Sequence, residues 1–508
     1  MSQPRARIAI IGGGPGGYEA ALVAAQLGAQ VTVVDSDGLG GACVLTDCVP
    51  SKTLIATSGT MSVLDGAADL GIRLAGEEMP GPGQPGQSGH SGQPGQPGQP
   101  GQPGQSGQPG QSGQPGYSRQ SGQPGRPYVD APRLYARVKA LARAQSADVA
   151  LRLAAEGVEV ITGRGRLADP HTVVADEREI RADAVLIATG ALPRVLPGAE
   201  PDGERILNWR QLYDLTELPP ELIVVGSGVT GAEFASAYQA LGSQVTLVSS
   251  RHRVLPQEDA DGAAVVEDVF RRRGMTVLGR SRASAVKRVG DRVVVTLEDG
   301  RTVHGSHCLL TVGMVPATHG LGLEEAGVVV DGHGFVQVDR VSRTTAPGVY
   351  AAGDCTGVMM LASVAAMQGR IAMWHTLGEA VQPIRLGHVA ATIFTDPEIA
   401  TVGVTADAVE AGEPDAMTVK LPLATNARAK MQGFRDGFVK LFARPGTGMV
   451  LGGVVVAPRA SELILGVSLA VEQSLTVDQM AHTFAVYPSL SGSLTEAARR
   501  LMRPSDVR

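Results

Sequence analysis

Aromatic residues make up only 4% of the 508-residue chain, with two tryptophans, and there are only four cysteines. Cys43, Cys48, Cys308 and Cys355 are too few for a disulfide framework in so long a chain. No histidine stands at ligand spacing from any pair of them, so no metal site is expected. There is no apolar run of the roughly 18 residues a membrane-spanning helix needs. The net charge of −6 is small for this length, and no basic stripe offers a surface to nucleic acid. Met1 to Arg7 runs straight into an apolar stretch without the core or cleavage site of a secretory leader, so the expectation is a cytoplasmic protein.

What is present is enough apolar residue for buried cores and enough length for roughly three domains of ~100–200 residues. One segment stands apart. From Gly83 to Gly116 every third residue is glycine, mostly as Gly-Gln-Pro or Gly-Gln-Ser, and residues 79–127 carry almost no apolar side chains. Such a tract cannot bury enough surface to offset ordering, so it reads as a disordered insert with no chemistry. Loop closure costs grow only logarithmically, so an insert of this length is tolerated.

Before the tract, an apolar strand at Ile8–Ile11, a glycine turn, a helix and a strand at Val31–Val34 follow one another. After it comes a helical stretch from Ala131 to Glu156. The strand, turn, helix and strand order then recurs with Leu222–Val225 and Val245–Val248. Alternation of this kind predicts parallel sheets covered on both faces. From Val389 onward the texture changes to strands followed by late helices, an α+β domain.

Each glycine turn has G-x-G-x-x-G spacing: Gly12, Gly14 and Gly17 in the first, Gly226, Gly228 and Gly231 in the second. The first glycine permits the tight turn, the second lets a pyrophosphate approach the backbone, and the third lets the helix lie against the strand. The free N–H groups of the helix start favour an anion. After the first turn the next strand ends in Asp35, an acceptor for ribose hydroxyls. After the second it ends in Ser249, Ser250 and Arg251, which would bind a 2′-phosphate where a carboxylate would repel it. Two dinucleotide sites are therefore expected, the second accepting NADPH as well as NADH.

Cys43 and Cys48 lie in Gly40-Gly41-Ala42-Cys43-Val44-Leu45-Thr46-Asp47-Cys48-Val49-Pro50-Ser51-Lys52. A disulfide requires Cα atoms about 4.4–6.8 Å apart, whereas five residues of regular helix rise ~7.5 Å. The backbone between them must therefore leave the helix if the two sulfurs are to meet. A helix start and the nearby Lys52 would favour a thiolate.

This stretch resembles the G-G-x-C-x-x-x-x-C-x-P-S-K motif of the flavoprotein disulfide reductases. Ala188-Thr189-Gly190, Gly313 with Pro316, Gly348 to Asp354, Asn426 to Lys430 and Gly437 to Lys440 resemble further family segments in the same order. The resemblance covers nearly the whole chain outside the tract. It implies an α/β fold with two Rossmann-like domains and a C-terminal α+β dimerisation domain. An FAD-binding domain would span 1–203 and 313–386, a NAD(P)-binding domain 204–312, and the dimerisation domain 387–508. It further implies that Cys48 lies against the flavin and Cys43 faces the substrate. Lys52 would pair with Glu233 beside the reactive flavin edge, and Asp354 would hold the ribityl chain. Gly41, Gly165, Thr189, Gly190, Gly313 and Ala362 would line the cofactor. A homodimer would build each active site from both subunits.

In one segment the sequence departs from the family. The disulfide reductases carry an acid–base histidine and its orienting glutamate in H-x-H-P-T-x-x-E. Anchored on Pro488, this chain has Tyr487 in place of that histidine and Gly492 in place of the glutamate. His482 lies near but off the motif position. General acid–base help is worth about 10²–10⁴-fold, and a tyrosine with a pKa near ~10 replaces an imidazole poorly. A quinone needs no thiol exchange, and one branch of the family, the NAD(P)H:quinone reductases, is similar to dihydrolipoyl dehydrogenases but lacks the dyad. The leading expectation is thus an FAD-dependent oxidoreductase passing hydride from NAD(P)H to flavin and on to a quinone. The intact cysteine pair keeps dihydrolipoyl dehydrogenase as the alternative. A non-catalytic nucleotide-sensing subunit, tethered by the Gly-Gln-Pro tract, is the reading from another class. If Ser250 and Arg251 meet a 2′-phosphate, NADPH will be accepted at least beside NADH when kcat/KM is compared for the two. A preference for NADH of about a hundredfold (some 2.7 kcal/mol) would overturn this.

Overall fold

The computed structural model describes residues 5–72 and 127–502. The glycine-rich insert expected at 79–127 lies, apart from Pro127, outside the described residues.

The first domain is built on a parallel sheet of five strands, in the order Val349–Ala351, Ala184–Ile187, Arg7–Ile11, Gln30–Asp35 and Glu159–Thr162. Its central strands are mostly apolar, with Ala184–Ile187 wholly so, because both faces are covered. Alternate residues feed different cores. Ile8, Ile10, Val31 and Val33 point to one side, where helix α1 (Pro15–Gln26) packs. Ala9, Ile11 and Val34 point to the other, against Leu167 and Val173 of a three-stranded antiparallel sheet. Beyond the second strand come two short-spaced helices, α2 (Gly41–Leu45) and α3 (Cys48–Asp65), and then α4 (Ala131–Ala155), capped by Asp130 through the backbone N–H of Arg133.

The second domain repeats the scheme. Its parallel sheet runs Thr276–Leu278, Gln244–Val248, Glu221–Val225, His307–Leu310 and Ile206–Asn208. Helices α5 (Val229–Leu241) and α6 (Ala260–Arg272) cover one face, and a three-stranded antiparallel sheet supplies Val286, Val293 and Val295 to the other. The chain then returns to the first sheet with Val349–Ala351 and helix α7 (Ala362–Thr376). Helices α7 and α1 lie so close that a Cβ on Gly369 would stand 2.1 Å from the carbonyl oxygen of Gly16.

The C-terminal domain is an antiparallel five-stranded sheet in the order Ala391–Ile393, Glu398–Gly403, Val450–Ala457, Phe438–Ala443 and Met417–Pro422. Helices Ala460–Glu472 and Gly492–Leu501 cover one face. The other face sends Ile399, Phe438, Phe442, Val454 and Val456 into a core shared with the second domain. Among the described residues no helix is long and apolar enough to cross a membrane.

A buried charged joint fastens these two domains, beside the exposed pairs Arg272–Asp436 and Arg273–Asp396. Lys440, buried on its strand, donates to Asp259 Oδ2 at 2.6 Å and to Asp261 Oδ2 at 2.8 Å, while Lys420 reaches Asp261 Oδ1 at 2.8 Å. Asp259 also caps α6 by accepting from the backbone N–H of Gly262. Both lysines stand over the ring of Phe438. Removing one partner of a buried pair strands the other charge, at a cost of about 3–5 kcal/mol. Lys440→Met is therefore expected to lower the urea midpoint clearly. Lys440→Met combined with Asp259→Leu should recover much of the loss, and equal losses in both variants would show that the pair is not what holds the joint.

Candidate active site

The two glycine turns have the same local anatomy. Gly12 has φ +105°, and a Cβ there would stand 2.3 Å from the carbonyl oxygen of Ala188. Gly226 has φ +112°, and its Cβ would stand 2.3 Å from the carbonyl oxygen of Thr311. A Cβ on Gly17 or Gly231 would fall 1.9 Å from the carbonyl oxygen of the first glycine of its own turn. The middle glycines differ. A Cβ on Gly14 would have only the Gly41 Cα within 4.0 Å, and Gly228 has nothing that close. Each turn thus presents bare backbone to open space above a helix start, the geometry that receives a pyrophosphate.

The polar residues at the strand ends have been divided by the fold. Asp35 Oδ2 accepts from the backbone N–H of Gly13 at 2.6 Å, and Oδ1 accepts from those of Gly38 and Asp37. The carboxylate therefore fastens the first turn as well as standing at its edge. Ser249, expected beside Ser250 and Arg251, is fully buried instead. Its Oγ lies 2.6 Å from Ser227 Oγ and bonds to the backbone of Arg251. It braces the second turn from beneath, because Ser227 brings a hydroxyl into the interior that needs a partner. Ser250 and Arg251 face solvent.

The cysteine stretch does leave the helix. α2 ends at Leu45, Thr46 and Asp47 break the geometry, and α3 starts at Cys48. Both thiols are free, and they share a hydrogen bond. The bond from Cys48 lowers the Cys43 pKa below the ordinary thiol range, against burial and the nearby carboxylates of Asp47 and Asp354. Cys48, as the donor, is pushed strongly up. One turn further along α3, Lys52 Nζ meets Glu233 Oε2 at 2.8 Å. Glu233 is only 4% exposed on α5, and its Oε1 accepts from the backbone N–H of Phe394 at 2.9 Å. The Phe394 ring lies 4.8 Å below the ammonium. Burial works against the Lys52 charge, but Glu233 outweighs it and the pKa is raised.

Three residues in this pocket had escaped the sequence reading. Asp47, between the cysteines, has its pKa raised by burial and by repulsion from Glu233, against the pull of Lys52 and Arg210. Arg210 Nε donates to Thr46 Oγ1 at 3.3 Å, holding the break between the helices. Phe394 completes the Lys52–Glu233 unit. Asp47 lay in plain view inside the cysteine motif, whereas Arg210 and Phe394 are brought from remote strand ends and carry no local signal. The carboxyl of Asp354 is pushed up to about 6, by burial and then by Asp47. Thr189 Oγ1 is buried without a hydrogen-bond partner, and Gly190, at φ +71°, faces open space. Ala362 opens α7, half-buried, and Gly313 (φ +100°) follows the strand that ends the second sheet. Gly165 is packed against Ile11 and Val34, so it keeps the sheet edge thin. The orphaned Thr189 hydroxyl, the bare Gly12–Gly17 turn and the cradle between Gly14 and Gly41 fit a bound dinucleotide.

The C-terminal segment is exposed within one chain. Phe484, Val486 and Tyr487 are among its most exposed apolar side chains. His482 Nδ1 bonds to the carbonyl oxygen of Asp478 at 2.9 Å and stands 3.4 Å from its carboxylate. Cys308 and Cys355 are fully buried.

Residues 6–369 match the family model described as pyridine nucleotide-disulphide oxidoreductase, and residues 389–498 match that family's dimerisation domain. A Mycobacterium tuberculosis protein named NAD(P)H dehydrogenase (quinone) is 53% identical, covering 99% of this chain and 95% of its own length. A dihydrolipoyl dehydrogenase of Chlorobaculum tepidum is 31% identical over 97% of this chain and 96% of its own. The crystal structure of LpdA from Mycobacterium tuberculosis superposes with a TM-score of 0.84 at 52% identity, covering 98% of this chain and all of that one.

The hydrogen bond between the thiols makes a pH-dependent prediction. Thiolate is the form that alkylates, so the rate for Cys43 in the reduced protein should rise with pH through a midpoint below the ordinary thiol range. Cys48→Ala removes the donor and should move that midpoint up. Asp47→Asn removes a repelling charge and should move it down. Unchanged midpoints in mass-spectrometric rate measurements would refute the coupling.

Proposed function

The chain belongs to the pyridine nucleotide-disulphide oxidoreductase family, and from that premise we propose that it is an FAD-dependent NAD(P)H:quinone oxidoreductase acting as a homodimer. FAD, when bound, accepts two electrons from the nicotinamide and returns them to the acceptor. The observation that carries the reading is the replacement of the family's His–Glu dyad by Tyr487 and Gly492 in a chain that keeps Lys52 and Glu233. The 53% identity to a protein named for quinone reduction supports it.

The residues divide the work as follows. Gly12, Gly14, Gly17 and Asp35 receive the FAD dinucleotide, with Gly41, Thr189, Gly190, Asp354 and Ala362 around the rest of it. Gly226, Gly228 and Gly231 receive the nicotinamide dinucleotide, and Ser250 with Arg251 meets a 2′-phosphate. Lys52 places a fixed positive charge where electrons accumulate, and its partner Glu233 keeps it aimed. A preorganised charge in a water-poor pocket stabilises developing negative charge without reorganising. Tyr487, contributed by the partner subunit in this reading, offers the acceptor an aromatic wall in place of a proton-transfer group.

A second reading, dihydrolipoyl dehydrogenase, is favoured by one observation: the free thiols of Cys43 and Cys48 share a hydrogen bond that favours the Cys43 thiolate. The test is NADPH oxidation by the purified holoenzyme with menadione and with lipoamide. High menadione turnover with little lipoamide turnover is expected, and Tyr487→His with Gly492→Glu should raise the lipoamide rate about 10²-fold or more. Strong lipoamide reduction by the unaltered chain would establish the second reading instead. Lys52→Met should slow both acceptors by about 10²–10³-fold.

A further inference from the structure

Helix α7 has two unlike faces. One is sealed against α1, where Gly369 meets Gly16 and Arg370 pairs with Glu19 at 2.6 Å. The other, carrying Ser363, Met367, Ile371 and Trp374, borders a cavity of about 780 Å³. Positions spaced by four and three residues form one stripe along a helix, here ~16 Å long at ~1.5 Å per residue. The facing wall is irregular chain, contributing Val381, Ile384 and Val389, and Leu27 at the end of α1 stands at the foot. This volume is in the range of small-molecule sites, about 300–1,000 Å³.

The cationic side chains at the cavity are already paired. Arg385 and His388 both pair with Glu472, one on each carboxylate oxygen, with the His388 contact at 2.8 Å. They leave no free cation for an anionic ligand, and the walls are mainly apolar, with Val364, Met367, Ile371, Val381 and Ile384 beside Gln382 and the exposed Glu379. The upper end at Ser363 adjoins Ala362, the α7 residue read above as a flavin neighbour. A long uncharged chain entering along α7 would thus have its head at the flavin and its hydrocarbon between Met367 and Ile384.

We propose that the α7 cavity holds the isoprenoid side chain of the quinone acceptor, so that the preferred substrate is a tailed quinone and not a bare ring. The proposal rests on the quinone reading above. Burying a hydrocarbon tail there lowers KM without requiring any change in the chemistry at the ring.

The test uses the full-length holoenzyme. kcat/KM is compared for menadione, which has no tail, and for a naphthoquinone carrying a short isoprenoid chain. The expected advantage of the tailed quinone is about tenfold or more, the scale of ~1.4 kcal/mol. Met367→Asp, and separately Ile384→Asp on the opposite wall, should abolish that advantage, with the menadione rate serving as the check on folding. Binding is read independently from the fluorescence of Trp374 on titration with farnesol, a redox-inert isoprenoid alcohol. Trp374→Phe identifies the signal, since the chain has only one other tryptophan. A saturable change, competed by the tailed quinone, supports the proposal. Equal kcat/KM for both quinones and no fluorescence change overturn it while leaving the quinone reading intact. Farnesol binding without turnover of any quinone overturns the quinone reading and the acceptor assignment with it. Farnesol that splits the homodimer in light scattering assigns the cavity to a second copy of the chain and likewise overturns the proposal.

Discussion

Everything at the centre of this molecule depends on one buried carboxylate keeping one ammonium in place. Glu233 belongs to the second domain, Lys52 to the first, and Phe394 to the turn after the first strand of the C-terminal sheet. All three meet at the two oxygens of Glu233, one accepting from Lys52 at 2.8 Å and the other from the Phe394 backbone at 2.9 Å. A buried pair is not a cheap source of stability, because desolvation takes back much of the Coulomb gain. Its value here is positional. If any of the three elements shifted, a charge would be left unpaired in the interior, so the relative placement of the domains and the position of the cation are set together. The second joint, Lys440 with Asp259 and Asp261, does the same between the second domain and the C-terminal sheet.

Around that cation the pocket is crowded with acids. Asp47, Glu233 and Asp354 all lie within electrostatic reach of one another or of the thiols, and Lys52 and Arg210 are the cations that answer them. The two carboxyls not paired with Lys52, those of Asp47 and Asp354, have their pKa values raised, and burial is the first cause for each. Asp47 opposes ionisation of both cysteines, and Asp354 that of Cys43. The hydrogen bond from Cys48, helped by the charge of Lys52, tips Cys43 toward thiolate, and it does so at the expense of Cys48. The thiol pair is thus asymmetric because of its own geometry and not because of an external base.

Much of this was legible beforehand, for identifiable reasons. The glycine turns could be read because φ near +105° and a carbonyl about 2 Å from any Cβ admit no other residue. The break between Cys43 and Cys48 is what helix rise requires if the two sulfurs are to meet, and it falls at Thr46 and Asp47. Ser249 was misjudged because the hydroxyl of Ser227, two positions into a glycine turn, creates a buried demand that only a three-dimensional neighbour reveals. Arg210 and Phe394 reach the site through strand order, which no local pattern encodes. The open face of α7 was hidden for a similar reason. Its opposing wall, residues 379–390, has neither helical nor strand periodicity, so nothing in the sequence marks it as half of a cavity.

The loss of the His–Glu dyad and the crowding of acids bear on the same choice. Thiol exchange needs a thiolate, a base to hold its proton and a leaving thiol that can be protonated on demand. In this pocket the Cys43 thiolate is favoured on balance despite Asp47 and Asp354, but the family's base is absent from the C-terminal segment, where Tyr487 stands exposed. Direct reduction of a neutral ring by a flavin makes none of those demands. It asks for a fixed cation beside the electron-rich centre and for apolar surface to hold the acceptor. Lys52, braced by Glu233 and Phe394, meets the first requirement, and the exposed Phe484, Val486 and Tyr487 supply apolar surface on the segment that has lost the dyad. What changed relative to a disulfide reductase is therefore the proton chemistry at the rim, while the charge at the centre was kept.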